Sequence, residues 1–411
     1  MTGTSSSDIP RPRNGAQAGP FGESAGAALT PGGLLDGRLL LHVSLSRLWQ
    51  VRDHIDAGRG GLVLCGDAAA GKAMELRREG FTAPLLVDPE VYTSHFATPE
   101  APFPRTEHEG FSFGDPRFDD PLRVSVDRQR AAGVTAAITP TGYIQAEDSD
   151  ALLAAARQVE ALADPLLVFA APVDVGWLQD DDSVRQLIGA LNLTKGPKAL
   201  MLGGQMDPLG RFPRAVGNLR RVLASVPGAA LMRTDLAVFG ALAHGASFGS
   251  YGTTGSLRHI VPPGQPTQSS RAIMRSPHVL IPELMGFFLG AKIAKAFAAA
   301  DTPGCNCAFC DGEGLDRFTS MRGEHQRQAA AHNVEVMGGW LRAVMAAPPG
   351  YGRQLRWHEM CRSAVAHYSV LNASIDQKGA FKADAQLRRW AELVPQAVPT
   401  GSAAPAGQRT R

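Results

Sequence analysis

The sequence predicts an α/β protein: a closed (β/α)₈ barrel of the TIM type, followed by a zinc-binding subdomain and C-terminal helices. The prediction rests on eight short apolar runs separated by polar breaks, on helical spacing of apolar residues after most of these runs, and on a cysteine cluster beyond the last run. The chain has 411 residues, of which 44% are hydrophobic. It is therefore long enough to bury one large core or two moderate ones.

The two ends of the chain differ from its centre in composition. Residues 1–33 are rich in Gly, Ser, Pro and Ala without apolar periodicity, and residues 396–411 are similar. Such segments bury too little apolar surface to offset the entropy lost on ordering, so both are predicted to be disordered tails. Between them we predict a barrel over 34–300, a zinc-binding subdomain over 301–345 and a C-terminal helical segment over 346–395.

The eight apolar runs are short enough to be parallel strands buried on both faces. They are Leu39–Val43, Leu62–Cys65, Pro84–Val87, Val134–Ile138, Leu166–Ala171, Ala199–Leu202, Ala229–Met232 and Ala246–Ser250. After the fourth run, apolar residues recur at helical spacing, at Leu152, Leu153, Ala156, Val159 and Leu162. Eight alternating strand and helix units favour a closed barrel, with an open doubly wound sheet as the alternative.

In a barrel of this type the reacting groups come from the loops that follow the strands. This rule selects polar residues and glycines directly after the predicted strands: Asp67, Asp88, Thr139, Thr141, Asp174, Gly203, Gly204, Gln205, Asp207, Asp235, Ser250 and Tyr251. The connection after Asp88 is the longest, and long loops on the functional face are usually lids or substrate clamps.

A cysteine cluster follows the barrel segment. Cys305, Cys307 and Cys310 stand in the run CNCAFC, and His332 follows with 21 residues between. Three thiolates and one imidazole complete a tetrahedral zinc site without a position for water, so we predict one structural Zn²⁺. The alternatives are a chance cluster or a disulfide, which belongs to a secreted chain.

The fourth ligand of this zinc site has competitors. His325 lies closer to the cysteines than His332 does, and Asp311 directly follows Cys310. The prediction is His332.

Two classes of protein are disfavoured. The closest approach to a membrane-spanning run, Ile281–Ala300, is interrupted by three charged residues and is predicted to be a buried amphipathic helix. The run GDAAAGKA lacks the hydroxyl residue that a P-loop uses for magnesium, since Ala73 stands there. Without a visible targeting peptide, the chain is expected to be cytoplasmic and not bound to a membrane.

Charge is distributed unevenly. From Gly255 to the C-terminus there are 18 Lys and Arg against 11 Asp and Glu, a net charge of +7, whereas the remainder holds 23 against 28, a net charge of −5. A basic segment beside an acidic one is consistent with contacts to a phosphate backbone, and equally with ordinary surface variation.

Several motifs resemble those of the tRNA-guanine transglycosylases and the related enzymes that insert 7-deazaguanines into DNA. AAAHNVEVM resembles the zinc-ligand helix of that family, and DLAVFGALAHGASFGSYG its run from the seventh helix into the eighth strand. MLGGQ resembles the glycine pair after the sixth strand, and LLVDPEVY the aspartate after the third. The resemblance covers roughly residues 35–345; the interval from the last cysteine to the histidine is a few residues shorter than is usual in the family.

The resemblance implies base exchange through a covalent ribosyl-enzyme intermediate, with one aspartate as nucleophile and another as general acid and base. Asp88 matches the acid–base position. At the end of the eighth strand, where the family has its aspartate, this chain has Ser250, which cannot stabilise an oxocarbenium ion by charge. The alternative nucleophiles are Asp235, which ends the seventh strand, and Asp207; Asp235 is also placed to cap a helix.

Substrate-binding residues are predicted beside these carboxylates, namely Gly203, Gly204, Gln205, Ser250 and Arg258. Arg258 is placed to clamp a phosphate or a nucleobase edge, or is an ordinary surface arginine. The resemblance therefore predicts exchange of guanine for a 7-deazaguanine in tRNA or DNA, by a homodimer or a heterodimer. The alternatives are a non-catalytic, zinc-containing subunit that binds nucleic acid or a catalytic partner, and an enzyme that runs a different reaction in the same pocket.

Overall fold

The computed structural model describes residues 31–104, 120–266 and 276–396. Both predicted tails, except for 31–33 and 396, lie outside these residues, as does 105–119 of the long connection after Asp88. Eight parallel strands form a nearly closed barrel with helices around it. The predicted fold class is therefore confirmed.

The barrel strands are β1 (Leu39–Ser44), β2 (Gly60–Cys65), β3 (Leu85–Asp88), β4 (Ala137–Ile138), β5 (Leu167–Asp174), β6 (Lys198–Gly203), β7 (Ala229–Thr234) and β8 (Gly249–Gly252). They pair in the order β3-β2-β1-β8-β7-β6-β5-β4, so that the first and last strands are neighbours. Between β3 and β4, the Thr135 N–H donates to the Leu85 carbonyl at 2.8 Å, and Thr135 Oγ1 accepts from the Leu85 N–H at 3.0 Å. These bonds bring the two remaining edges together, unlike the edges of an open doubly wound sheet.

Helix α1 (Pro31–Leu35) precedes the first strand, and α-helices follow the strands from β2 to β7. They are α2 (Ala69–Arg78), α3 (Pro121–Ala131), α4 (Ser149–Leu162), α5 (Asp181–Leu191), α6 (Pro208–Arg211), α7 (Ala215–Ser225) and α8 (Ala237–Ala243). The eighth strand begins three residues later than predicted. The reason is a helix C-terminus, because Gly245 has a left-handed φ of 106° and the Ala246 N–H donates back to the Ala241 carbonyl at 2.9 Å.

The interior of the barrel is filled by side chains from alternate strand positions. On β1, Leu40 and His42 face inward, whereas Leu39 and Leu41 face the helices. The inward set forms a separate buried apolar cluster: Leu40, Val63, Leu86, Ile138, Val168, Ala199, Met201, Met232 and Phe248, with several smaller residues. Nearer the carboxyl ends of the strands, the inward-facing positions are occupied by polar residues.

The predicted helix over Ile281–Ala300 is wrong in its first half. The chain forms an antiparallel hairpin of β9 (His278–Ile281) and β10 (Gly286–Leu289), and only then α9 (Gly290–Ala296). Met285 takes a left-handed conformation with a φ of 46°, which ends the turn begun at Pro282 and reverses the chain. Helical spacing of apolar residues did not reveal this turn.

Three further helices, α10 (Gly323–Ala346), α11 (Tyr351–Ser374) and α12 (Ala385–Glu392), cover one side of the barrel. Phe239 of α8 contacts the rings of Trp340 and Trp357 at centroid distances of 5.7 and 6.0 Å. Trp390 of α12 packs on Gly240, where an added Cβ would lie 2.6 Å from the indole. The aromatic residues of this segment are thus used for packing. In the described part of the chain, no helix is both long and apolar enough to cross a membrane.

Candidate functional site

The predicted metal ligands lie together. The Sγ atoms of Cys305, Cys307 and Cys310 and a ring nitrogen of His332 all lie within 4.8 Å of one another. His332 Nδ1 is 3.2 Å from Cys310 Sγ and 3.7 Å from Cys307 Sγ. Three sulfurs and one imidazole nitrogen at this spacing fit a single structural zinc site. His325 is not part of the cluster, because its Nδ1 is engaged with Ser320 instead.

A second layer of hydrogen bonds orients these ligands. His332 Nε2 lies 2.7 Å from the Leu280 carbonyl, and with Nε2 protonated the lone pair of Nδ1 points at the sulfurs. The neighbouring Asn333 accepts from the Leu280 N–H at 2.9 Å and donates to the His278 carbonyl at 3.0 Å. The His-Asn pair therefore attaches strand β9 to the metal centre.

The sulfur atoms also accept hydrogen bonds. The N–H of Cys310 donates to Cys307 Sγ at 3.3 Å, and Arg317 Nη2 donates to Cys310 Sγ at 3.0 Å. Burial raises the pKa of Cys310, whereas the hydrogen bond from Arg317 lowers it. A bound Zn²⁺ would hold the thiols as thiolates, and these donors would share their charge.

Inside the barrel mouth, Asp88 is the centre of a buried polar group that we call the interior network, consisting of His42, Asp88, Glu90, Tyr92, Arg233 and Ser250. Asp88 Oδ2 accepts from the Tyr92 hydroxyl at 2.5 Å and lies 3.1 Å from His42 Nε2 and 3.5 Å from Arg233 Nη1. Burial alone would raise the pKa of Asp88. The hydrogen bond and charge of His42, with the charge of Arg233, lower that pKa to about 2. Asp88 is thus held as a paired carboxylate.

Arg233 contacts the interior network because the backbone at this residue has an unusual conformation. Its φ is 49°, and the pairing of β7 with β8 is irregular between Leu231 and Thr234. This bulge re-aims the arginine from the strand into the barrel. The guanidinium lies 5.4 Å from the centre of the Tyr92 ring and pairs with Glu90 as well as with Asp88.

Ser250 stands at the position where the resemblance implies an aspartate. It is fully buried, and its Oγ accepts from the Arg233 N–H at 2.9 Å and lies 3.3 Å from His42 Nδ1. The ring of His42 therefore bridges Ser250 and Asp88. Sequence reasoning selected Asp88 and Ser250 but missed His42 and Arg233. Period-two alternation in LLLHVS was a usable signal, since it places His42 on the inward face.

Tyr143 and Ile260, together with the ring of Tyr92, cover the rest of the interior network. Tyr92, Tyr143 and Ile260 are each 1–2% exposed and join the apolar cluster of the barrel interior. Ile260, in the segment after β8, pairs with the end of β6, because its N–H donates to the Leu202 carbonyl at 3.1 Å. In the described residues, the mouth of the barrel is filled.

The predicted glycine pair helps this closure. A Cβ on Gly203 would lie 2.2 Å from the Tyr143 hydroxyl, so only glycine lets that ring lie over the mouth. Gly204 has a φ of 144° and donates its N–H to the Ile260 carbonyl at 2.9 Å. Gln205 Nε2 donates to the Pro266 carbonyl at 3.2 Å. These three residues hold the loop after β8 in place.

Four other predicted residues, Asp207, Asp235, Tyr251 and Arg258, lie elsewhere. Together with Asp384 and Gln386, which were not predicted, they form a polar group that we call the rim cleft. Asp235 accepts from the Ala237 N–H at 2.9 Å, as a helix cap, and from the Gln386 side chain of α12. Asp207 accepts from the Gly210 N–H at 2.9 Å. The cleft lies outside the barrel wall, because Tyr251 alternates with the inward Ser250 on β8.

The charges of the rim cleft act on one another. Burial and the charge of Asp235 raise the pKa of Asp207 to about 6. Burial also raises the pKa of Asp235, against the opposing charge of Arg258. Arg258 is held between two aromatic rings, with its Cζ 5.0 Å from the centre of Tyr251 and 4.3 Å from that of Phe287. Its Nε donates to the Gly252 carbonyl at 3.0 Å.

The fold and the ligand set together define a zinc-binding (β/α)₈ barrel. No protein-family model matches the chain, and a search of curated proteins finds no match.

Proposed function

We propose that this protein is a barrel of the tRNA-guanine transglycosylase type that binds tRNA or DNA as the non-catalytic subunit of a base-exchanging pair. The observation that carries the proposal is the filled barrel mouth. Tyr92, Tyr143 and Ile260 are buried in the mouth, through which a nucleotide would have to enter a catalytic barrel, and Ser250 stands where the resemblance implies a nucleophilic carboxylate.

The pairing of Asp88 supports the same proposal. A general acid must release and regain a proton near neutral pH, but His42 and Arg233 keep the pKa of Asp88 at about 2 against the opposing effect of burial. Asp235 and Asp207 face helix α12 and the turn before α6, so they are not grouped with Asp88. The two alternative nucleophiles are thus engaged away from Asp88, which supports a subunit that does not carry out the displacement itself.

Base exchange by this chain itself is the second candidate. It is favoured by the contact of one inward carboxylate, Asp88, with Ser250 through His42 at the carboxyl ends of β3, β1 and β8. That candidate requires Tyr92, Tyr143 and Ile260 to move aside when substrate binds.

The test measures binding and turnover of the same purified protein. Fluorescence anisotropy with labelled tRNA and duplex DNA should give binding to at least one polymer, weakening steeply with salt because phosphate contacts release counterions. Exchange of labelled guanine into either polymer should be absent. Exchange by the chain alone would overturn the proposal in favour of the second candidate, and absence of binding to both polymers would overturn both.

A further inference from the structure

One of the four zinc ligands reaches solvent. Cys307 is half-buried, whereas the other three ligands are buried. The next two residues, Ala308 and Phe309, are exposed, and with Ala331 they line a cavity of about 230 Å³. A small solute can therefore approach the loop that carries the Cys307 sulfur, while the other two sulfurs of the site are shielded.

A second sulfur lies close to that of Cys307. The Sγ atoms of Cys307 and Cys310 are within 4.8 Å of each other. The Cys310 N–H donates to the Cys307 carbonyl at 3.1 Å and to its Sγ at 3.3 Å, so the two residues are the ends of one tight turn. The Cα atoms at the ends of such a turn are less than about 7 Å apart, which is near the range that disulfides span. Arg317 Nη2 donates to the Cys310 sulfur at 3.0 Å and holds it in place.

The two cysteines outside the cluster are protected from solutes. Cys65 is 3% exposed in the barrel, and Cys361 on α11 is 0% exposed. Oxidation of a cysteine depends on its thiolate character and on its exposure, and metal ligation supplies the thiolate. Of the five cysteines of the chain, only Cys307 combines ligation with exposure.

We propose that the metal centre is a redox-sensitive switch, in which hydrogen peroxide joins Cys307 and Cys310 in a disulfide, zinc is released and the β9–β10 hairpin is loosened. The Cys307 thiolate attacks one peroxide oxygen, which breaks the O–O bond and leaves a sulfenic acid and hydroxide. The Cys310 thiolate then attacks the Cys307 sulfur, forming the S–S bond and expelling a second hydroxide. The two thiolates thus lose two electrons, and the peroxide takes both.

The disulfide has a structural consequence beyond the metal centre. It removes two of the four ligands, and one sulfur with one imidazole nitrogen does not complete a structural zinc site. His332 and Asn333 then hold β9 by hydrogen bonds to Leu280 and His278 alone. The inference goes beyond the proposed function, because no nucleic acid takes part in the reaction.

The test treats zinc-loaded protein with hydrogen peroxide and follows zinc release with a chromogenic chelator. One zinc should appear for each pair of thiols lost, and peptide mass spectrometry should find Cys307 joined to Cys310, with Cys65 and Cys361 still reduced. Hydrogen exchange of the Leu280 amide, which donates to Asn333 at 2.9 Å, should become about tenfold faster. Dithiothreitol together with zinc should reverse all three changes.

Cys307→His is the sharpest variant, because two cysteines and two histidines also form a structural zinc site. It should release zinc about tenfold more slowly under peroxide, since the exposed thiolate is gone. Cys361→Ala is the matched control and should release zinc as fast as the wild type does. If Cys307→His fails to bind zinc, the sulfurs joined in the oxidised wild type decide the question.

Three results would overturn the inference. They are full retention of zinc by the peroxide-treated wild type, a disulfide that leaves out Cys307 or Cys310, and oxidation to a sulfinic acid without any disulfide. Binding of tRNA and DNA, measured separately, decides the proposed function whichever result is found.

Discussion

Three residues of the interior network and the rim cleft hold left-handed backbone conformations that residues other than glycine rarely adopt. Glu90 has a φ of 51°, Arg233 a φ of 49° and Asp207 a φ of 59°. A non-glycine residue there costs about 1 kcal/mol or more, and such strain concentrates at functional positions. In this barrel the strain aims a guanidinium into the interior network and a carboxylate into the rim cleft.

Asp207→Asn should stabilise the protein at neutral pH. Burial and Asp235 raise the pKa of Asp207 in the folded state to about 6, above its ordinary 3.8. Ionised Asp207 therefore lowers stability above pH 6, and the wild type gains stability as pH falls from 6 to 4. Asparagine tolerates the left-handed backbone and still accepts from Gly210, so urea unfolding should show a gain of about 1 kcal/mol at pH 7, after allowance for partial exposure.

That gain should shrink as pH falls below 6 and be nearly gone by about pH 3, where the wild-type carboxyl is mostly protonated in both states. Asp182→Asn is the control, because its side chain is 75% exposed on α5 and should change stability little at either pH. A gain of the same size at pH 7 and pH 4 would contradict the assigned pKa.

Asp88→Asn should destabilise the fold, because it removes the carboxylate that His42 and Arg233 surround. Breaking a buried ion pair on one side costs about 3–5 kcal/mol. The pKa of Asp88 is lowered in the folded state, so its contribution is present above pH 4 and is lost as pH falls from 4 to 2. Urea unfolding should show the deficit shrinking over that range. The double variant Asp88→Asn with Arg233→Met should lose less stability than the two single variants added together. A loss equal to that sum would contradict the pairing.

At the scale of elements, the barrel strands and the zinc ligands were predictable from the sequence, whereas the hairpin and the contacts of α12 were not. Eight apolar runs matched eight strands because buried parallel strands are continuously apolar. Cysteine spacing identified the zinc ligands, since metal geometry constrains sequence locally. Hairpin β9–β10 was missed because a single left-handed residue, Met285, overrides the helical pattern. The rim cleft was missed because its partner Gln386 is 151 positions from Asp235, beyond any local pattern.

Gly240→Ala should loosen α12 from the barrel. The added methyl group would overlap the indole of Trp390, which is buried and cannot swing away freely. Overpacking of this kind costs about 1–3 kcal/mol. The measurement is limited proteolysis of the segment after Ser374 together with urea unfolding. Gly217→Ala on α7, where a Cβ meets open space, is the control and should leave both unchanged or slightly improved. Equal proteolysis of both variants would contradict the packing assigned to Trp390.

At the scale of the whole molecule, one side of the barrel, at β7 and β8, is covered by a single packed unit. This unit consists of the zinc centre, the hairpin and the C-terminal helices. Helix α10 supplies His332 and Asn333 to β9, while α11 and α12 pack against α8. The metal therefore belongs to the part of the protein that supports the rim cleft.

Metal analysis of the purified protein should find one zinc per chain. Cys307→Ser should lower that content and destabilise the C-terminal third, because lost metal affinity appears as lost folding free energy. Cys361→Ala, at a buried cysteine outside the cluster, should keep one zinc. Wild-type protein without stoichiometric zinc would contradict the assigned site.

One short path of contacts joins the metal centre to the rim cleft. His332, a zinc ligand, holds the carbonyl of Leu280, and Leu280 pairs across the hairpin with Phe287, whose ring supports Arg258. Zinc removal should therefore free the Leu280 carbonyl and loosen the hairpin that supports Arg258, because lost metal affinity appears as lost folding free energy. Limited proteolysis within β9 and β10, with and without a chelator, measures this loosening.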